Sequence, residues 1–221
     1  MQAITAIRQR ASWWSPLRAT LEGGGRKLRQ LTIGMRQRGV RNTLYWAAFG
    51  YLKPNRFCIF AKDLARVDRV PLAPVATYEM WDAERVARWR RGRTGLPPEL
   101  FQDAIDGART CAVAQVDGEI AGFIWLYRTA EASRLFDLGD GEAELNYGAV
   151  LQPYRRHGLF RGVLLSASWW LADRGYHTVY ASVHSSNGPS LRAFEAAGFR
   201  RVGMVSHFGL YRPKYRATSA A

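Results

Sequence analysis

Residues 142–199 read EAELNYGAVLQPYRRHGLFRGVLLSASWWLADRGYHTVYASVHSSNGPSLRAFEAAGF, and the order of patterns in this stretch decides the fold. Glu142 to Leu151 has the alternation of a strand, and Gln152 to Gly158 is a loop. From Gly158 to Asp173 the apolar residues Phe160, Val163, Leu164, Ala167, Trp170 and Leu171 recur at helical spacing, and Gly175 stops the helix. Thr178 to His184 is β-branched and aromatic, a second strand. Asn187 to Ala197 forms a second helix, closed by Gly198.

The loop before the long helix is the chemically informative part. A helix N-terminus carries N–H groups without intrahelical partners and a partial positive charge. Such a terminus accepts anions, diphosphates among them. Arg155, Arg156 and Arg161 add charge, and Gly158 lets backbone come close to a guest. Taken alone, the pattern also fits plain helix capping.

Outward from this stretch the rhythm stays α/β. Upstream, Arg56 to Phe60 reads as a short strand, Val70 to Val75 as a boundary, and Pro74 to Met80 as a strand. Asp82 caps a helix running to Arg91, and Pro97-Pro98 opens another from Glu99 to Asp106. Strands follow at Thr110–Val116 and Glu119–Tyr127, joined by the hairpin dipeptide Asp117-Gly118, and then a polar loop from Thr129 to Gly141. Phe199 to Tyr211 closes with one or two strands.

The second half of the quoted stretch carries a resemblance. Arg155-x-x-Gly158-x-Phe160 heads the long helix; Asn187, Ser190 and Gly198-Phe199 mark the later one. In order and spacing these residues resemble the signatures of the GNAT N-acetyltransferase superfamily, over about Val75 to Tyr211. The resemblance implies an α/β fold: a central mixed, mostly antiparallel twisted sheet flanked by helices, here with a basic helical N-terminal extension. It implies acetyl-CoA as acyl donor. The pantetheine arm would lie in a gap between the two strands, bonded near Val150 and Leu151. The pyrophosphate would sit on the N–H groups of Arg156, His157, Gly158, Leu159 and Phe160, beside Arg155. Asn187 and Ser190 would help hold the arm. Two positions depart from the pattern: Phe160 stands where Gly or Ala is usual, and Phe194 where many members carry a Tyr that protonates the departing thiolate.

Amine acetylation also needs a proton acceptor and stabilisation of the oxyanion, which a backbone N–H can supply. Period two places Glu142, Glu144, Asn146 and Gly148 on one strand face, and Ala143, Leu145, Tyr147, Ala149 and Leu151 on the other. Glu144 stands where the resemblance puts a base, and is the candidate catalytic residue. Tyr147, Tyr154, His157 and His184 are candidate substitutes for the missing acid, with a structural role the competing reading for His184. A thiol of pKa ~8.5 also leaves without one. A donor with a longer acyl chain, or a non-catalytic acyl-CoA-binding module, are the alternative readings on the same fold.

Charge divides the chain. Residues 1–70 hold 14 Lys/Arg against 3 Asp/Glu, while residues 71–221 hold 18 against 15, so the basicity belongs to the first third. The sequence divides into a basic lead-in (1–25, ended by Gly23 to Gly25), a basic and apolar helical extension (26–70), the domain (71–212) and a tail (213–221). Basic residues beside the apolar run Leu44 to Leu52 suit contact of residues 1–55 with an anionic membrane surface; a helix packed on the domain is the competing reading. The run is shorter than the ~20 residues that span a bilayer. No zinc spacing or RNA-binding aromatic motif supports nucleic acid as partner, and no metal is implied. Cys58 and Cys111 sit in apolar runs as buried thiols, which fits a reducing cytoplasm, and no secretory signal is visible. The expected enzyme is cytoplasmic, peripheral on the inner membrane face. Its acceptor amine is a small molecule or saccharide, such as an amino sugar or envelope precursor. The sequence sets no oligomeric state.

Overall fold

The computed structural model describes residues 15–207, apart from 53, 130, 132 and 134, together with residue 215. Two helices come first, α1 (Ser15–Arg38) and α2 (Val40–Leu52). They are parted at Gly39, whose φ of +82° suits only a residue without a Cβ. Gly34 lies inside α1 and faces Thr43, so the helices cross closely there. Gly23 to Gly25 do not break the chain as the sequence suggests: α1 runs through them. A glycine costs a helix about 1 kcal/mol of propensity and does not by itself end it.

The sheet strands are β1 (Asn55–Asp63), β2 (Thr77–Asp82), β3 (Thr110–Val116), β4 (Glu119–Arg128), β5 (Glu142–Val150), β6 (Thr178–His184) and β7 (Arg200–His207). Their spatial order is β2-β3-β4-β5-β6-β1-β7, and every pair is antiparallel except β5 with β6. Helices α3 (Ala83–Trp89) and α4 (Gln102–Asp106) follow β2, α5 (Leu159–Ala172) links β5 to β6, and α6 (Gly188–Ala196) precedes β7. The mixed sheet flanked by helices is the architecture the sequence predicts.

Two apolar layers hold the sheet. On one face, Ala112, Ile124, Leu126, Ala143 and Leu145 pack under Val163, Leu164, Ala167 and Leu171 of α5. On the other, Trp81, Phe123, Trp125 and Tyr127 pack with Val86 of α3 and with Leu100 in the turn before α4. The thiols of Cys58 and Cys111 are buried and free.

One feature of the sheet moves a boundary. The sequence places residues 55–63 in the extension, before a domain starting at 71. The structure inserts them as β1 between β6 and β7, paired with both. Lys62 on β1 donates to the Ala197 carbonyl at the end of α6 at 2.8 Å, filling one of the unpaired carbonyls every helix end leaves. The sheet therefore takes in a strand from upstream of residue 71. The lead-in's residues 1–14 and most of the tail lie outside the described residues.

Candidate functional site

The parallel pair β5–β6 is in register from Glu142↔Thr178 to Leu145↔Ala181 and then ends, although both strands continue. The cause lies in β5. Opposite β4, Phe123 faces Ala149 while Trp125 faces Asn146, so β5 carries one extra residue. Tyr147 at that bulge has φ +52°, an unusual conformation for a side chain of its size. The bulge swings β5 away from β6, and among the described residues no strand pairs with that edge beyond Leu145.

The bulge also corrects the period-two assignment of faces. Ala143 and Leu145 pack towards α5, but Tyr147, Ala149 and Leu151 pack on the opposite layer. Tyr147 thereby joins the face of Glu144, its ring 6.1 Å from that of Tyr127.

Asn146 brackets the fork. Its Oδ1 accepts from the backbone N–H of Tyr147 at 2.8 Å. Its Nδ2 donates to Glu144 Oε1 at 2.7 Å and to Ser182 Oγ on β6 at 3.1 Å. Glu144 has no exposed surface. Its Oε2 accepts from Ser133 of the loop above the fork, and Ser133 Oγ accepts from the Phe136 N–H.

Beyond the fork opens a cleft of about 820 Å3. One wall is Gly148, Ala149 and Val150 of β5; the other is Asn187, Ser190, Ala193 and Ala196. The N-terminus of α5 forms its head. Gly158, with φ +71°, precedes α5 and offers no side chain to cap the first turn, so the N–H groups there face outward. Among the described residues, four arginines, Arg155, Arg156, Arg161 and Arg192, line the cleft, and no Asp or Glu does. Small apolar walls and a cationic head suit a long amide-bearing arm ending in a diphosphate.

The predicted binding residues divide by position. Val150, Arg155, Arg156, Gly158, Leu159, Phe160, Asn187 and Ser190 all line the cleft. Arg155 is braced by its Nε on the Val150 carbonyl at 3.2 Å. Asn187 accepts from the Ser190 N–H and so also caps α6. Leu151 spends its N–H on Ala121 of β4 and faces a smaller adjoining cleft of about 280 Å3. His157 is exposed, its Nδ1 3.3 Å from the Tyr154 carbonyl. Glu144 lies at the fork and does not line the cleft.

The two departures from the expected pattern touch one another. The Phe160 and Phe194 rings meet edge to face at 5.9 Å, and Phe160 rests on Gly148. Phe194 is buried against Phe60 and Phe199. Of the four candidate acids only Tyr154 lines the cleft. Both ring nitrogens of His184 are engaged, with Ser186 and Asn55, and its ring meets Phe57 edge on, so it has a structural role.

Sequence reasoning missed Asp106, at the end of α4. Burial pushes its carboxyl up to about 6, against the opposing hydrogen bond from the Tyr127 hydroxyl at 3.2 Å. Burial raises Tyr127 as well. Nothing local marks Asp106, because its partner is on a strand 21 residues away.

Fold and cleft together define the class: an open mixed sheet whose parallel central pair parts beside an uncapped, arginine-lined helix terminus. The profile of the acetyltransferase (GNAT) family matches residues 75–199, more than half of the chain. The chain belongs to that family, which generally uses acetyl-CoA as acyl donor. An N-alpha-acetyltransferase of Sulfurisphaera tokodaii is 33% identical over 100 residues, 43% of this chain and 59% of that protein. The chain thus spans under two thirds of the length of this curated relative. A GNAT-family acetyltransferase from Novosphingobium aromaticivorans superposes with TM-score 0.50 at 14% identity, over 70% of this chain and 63% of the other. A GCN5-related N-acetyltransferase from Sphaerobacter thermophilus gives 0.50 at 16%, over 82% and 60%. At these identities the two structures show the fold alone.

Proposed function

We propose that this protein is an acetyltransferase that binds acetyl-CoA in the cleft beyond the β5–β6 fork and passes the acetyl group to a primary amine by direct attack. One observation carries the reading: strand pairing stops at Leu145↔Ala181, and the gap leads straight to the uncapped head of α5. The thioester supplies an activated acyl group. The chain's residues do the rest. The splayed edge of β5 at Gly148 to Val150 holds the amide arm, the head of α5 with Arg155 and Arg156 holds the diphosphate, and Asn187 and Ser190 close the far wall.

Proton removal is assigned to Glu144. It is enclosed, so the amine proton reaches it through a hydrogen-bonded relay and not by contact with the acceptor. Of the four candidate acids Tyr154 is the one that lines the cleft, next to the arginines of the diphosphate end, and a thiolate also leaves unaided at a pKa of ~8.5. The name of the Sulfurisphaera relative supports a peptide α-amine as acceptor. An amino sugar on an envelope precursor is the second acceptor class, supported by the basic, apolar surface of the extension. Two buried free thiols are in keeping with a reducing, cytoplasmic setting.

Calorimetry with acetyl-CoA tests the donor, alongside a Gly158→Glu variant. The native chain is expected to bind with a Kd of roughly micromolar order, and the variant to lose that binding, since it places a bulky anion at a left-handed position on the diphosphate site. Equal binding by both would move the donor elsewhere. Turnover on a peptide with a free N-terminus, against a hexosamine, then separates the acceptors. If only longer acyl-CoAs bind, the acetyl assignment gives way to the longer-chain reading; binding without turnover on any amine leaves an acyl-CoA-binding module.

A further inference from the structure

We propose that the outward face of the α1–α2 hairpin docks on an anionic lipid surface. Exposed apolar side chains concentrate there. Of eight large hydrophobic residues exposed among the described ones, five are Leu28, Met35, Val40, Leu44 and Tyr45, all on this hairpin. Leu28 is 65% exposed and Leu44 59%, so neither packs against the domain. Leu28 and Met35 lie two turns apart on one line of α1, and Val40 and Leu44 one turn apart on α2.

Charge selects the partner. Between Arg26 and Arg41 stand six Lys/Arg and no Asp or Glu. Arg36 and Arg41 are exposed, each the next residue after an exposed apolar one. Cations interleaved with apolar side chains match an interface of anionic headgroups over acyl chains. A nucleic acid backbone would answer the arginines but offers nothing to Leu28 or Leu44. Among the described residues no helix is long and apolar enough to cross a membrane, so the hairpin would lie in the interface.

The hairpin's other side is fixed to the domain. Gln37 Oε1 accepts from the Leu96 N–H at 3.2 Å, Arg38 reaches Glu99 at 3.4 Å, and Arg29 donates to the Ala104 carbonyl at 3.5 Å. Arg38 also lines the smaller cleft, which shares Ala149, Val150 and Arg155 with the larger one. Docking would set that mouth beside the lipid surface. The inference is independent of the acetyltransferase reading.

Flotation of the full chain tests it, with vesicles of phosphatidylglycerol and phosphatidylcholine against phosphatidylcholine alone. The native protein is expected to float with the anionic vesicles and much less with the neutral ones. The double variants Leu28→Ser/Leu44→Ser and Arg36→Gln/Arg41→Gln should each lower the bound fraction about fivefold or more. All four residues are exposed, and unchanged circular dichroism and Tm would show that the fold persists. No flotation of the native chain, or native-level flotation of either variant, overturns the proposal. So does salt-sensitive binding to duplex DNA or RNA in place of vesicle binding, which would transfer the surface to nucleic acid.

Discussion

Asn146 does at the fork what no aliphatic residue could. One amide satisfies the Tyr147 N–H at the bulge, holds Glu144 and reaches Ser182 across the opening. Glu144 accepts from Asn146 and Ser133 at once, an arrangement suited to a carboxylate with two acceptor oxygens. In Glu144→Gln the amide oxygen can keep the bond from Asn146, while the new NH2 faces Ser133 Oγ, which must turn from donor to acceptor. The change should cost at most about 1–2 kcal/mol of stability and, if Glu144 takes the proton, lower kcat about a hundredfold or more. Donor Kd should stay within about twofold, because Glu144 does not line the cleft. A kcat close to native would remove Glu144 from the proton path. Asp106 titrates in the opposite sense to a salt-bridged acid. Its folded value of about 6 lies above the unfolded ~3.9, so the folded state binds the proton more tightly and stability falls as pH rises through this window. Asp106→Asn should therefore raise Tm at pH 8, by the equivalent of about 1–3 kcal/mol, and give no gain at pH 4. An equal gain at both pH values would show that burial of the charge is not the cause. Gly158 and Asn187 were legible in the sequence because their roles are local, a turn and a cap. Asn146 was visible only as one polar residue in a row. Its role depends on a bulge, which no alternation rule contains.

At the scale of elements, the bulge in β5 and the head of α5 are tied by one glycine. A Cβ on Gly148 would stand 2.7 Å from the Phe160 ring and 2.9 Å from both the Ile124 side chain and the Phe123 carbonyl. Phe160 begins the apolar line of α5, so Gly148 sets how closely the helix head approaches the splayed strand. Gly148→Ala should cost about 1–3 kcal/mol through overpacking and weaken acetyl-CoA binding by shifting the cradle against its wall. Adding Phe160→Leu should recover only part of the stability, since the Phe123 carbonyl is backbone and cannot yield. Full recovery in thermal melts of the double variant would place all the strain on the ring. Helix α5 was legible down to its boundaries because its apolar spacing is regular and glycines flank it. The unbroken course of α1 through Gly23 to Gly25 was not, because the glycine penalty is a propensity that neighbouring residues and packing outweigh.

For the whole molecule, the placement of β1 decides where the domain can be cut. The strand itself was readable at Arg56 to Phe60, but its position was not: a strand's neighbours depend on partners more than a hundred residues away, and alternation is silent about them. In the structure β1 pairs with β6 from Phe57↔His184 to Asp63↔Thr178 and with β7 from Asn55↔His207 to Ala61↔Arg200. Its residues Cys58 and Phe60 enter the layer beneath α5, while Phe57 and Ile59 pack with Phe136 and Tyr180 on the other side. A chain beginning at residue 71 would leave β6 and β7 separated by a gap one strand wide, with their inner backbone edges and both apolar layers opened to water. Such a chain should fail to give a cooperative thermal transition and should lose its near-ultraviolet circular dichroism, even though it retains all of residues 75–199 matched by the family profile. A chain beginning at residue 54 keeps β1 and should melt cooperatively; the contacts of Arg29, Gln37 and Arg38 lost with the hairpin lie at the surface and in the loop at 96–99. A cooperative melt from the shorter chain would mean that β6 and β7 can close on each other directly, making β1 an addition to the domain.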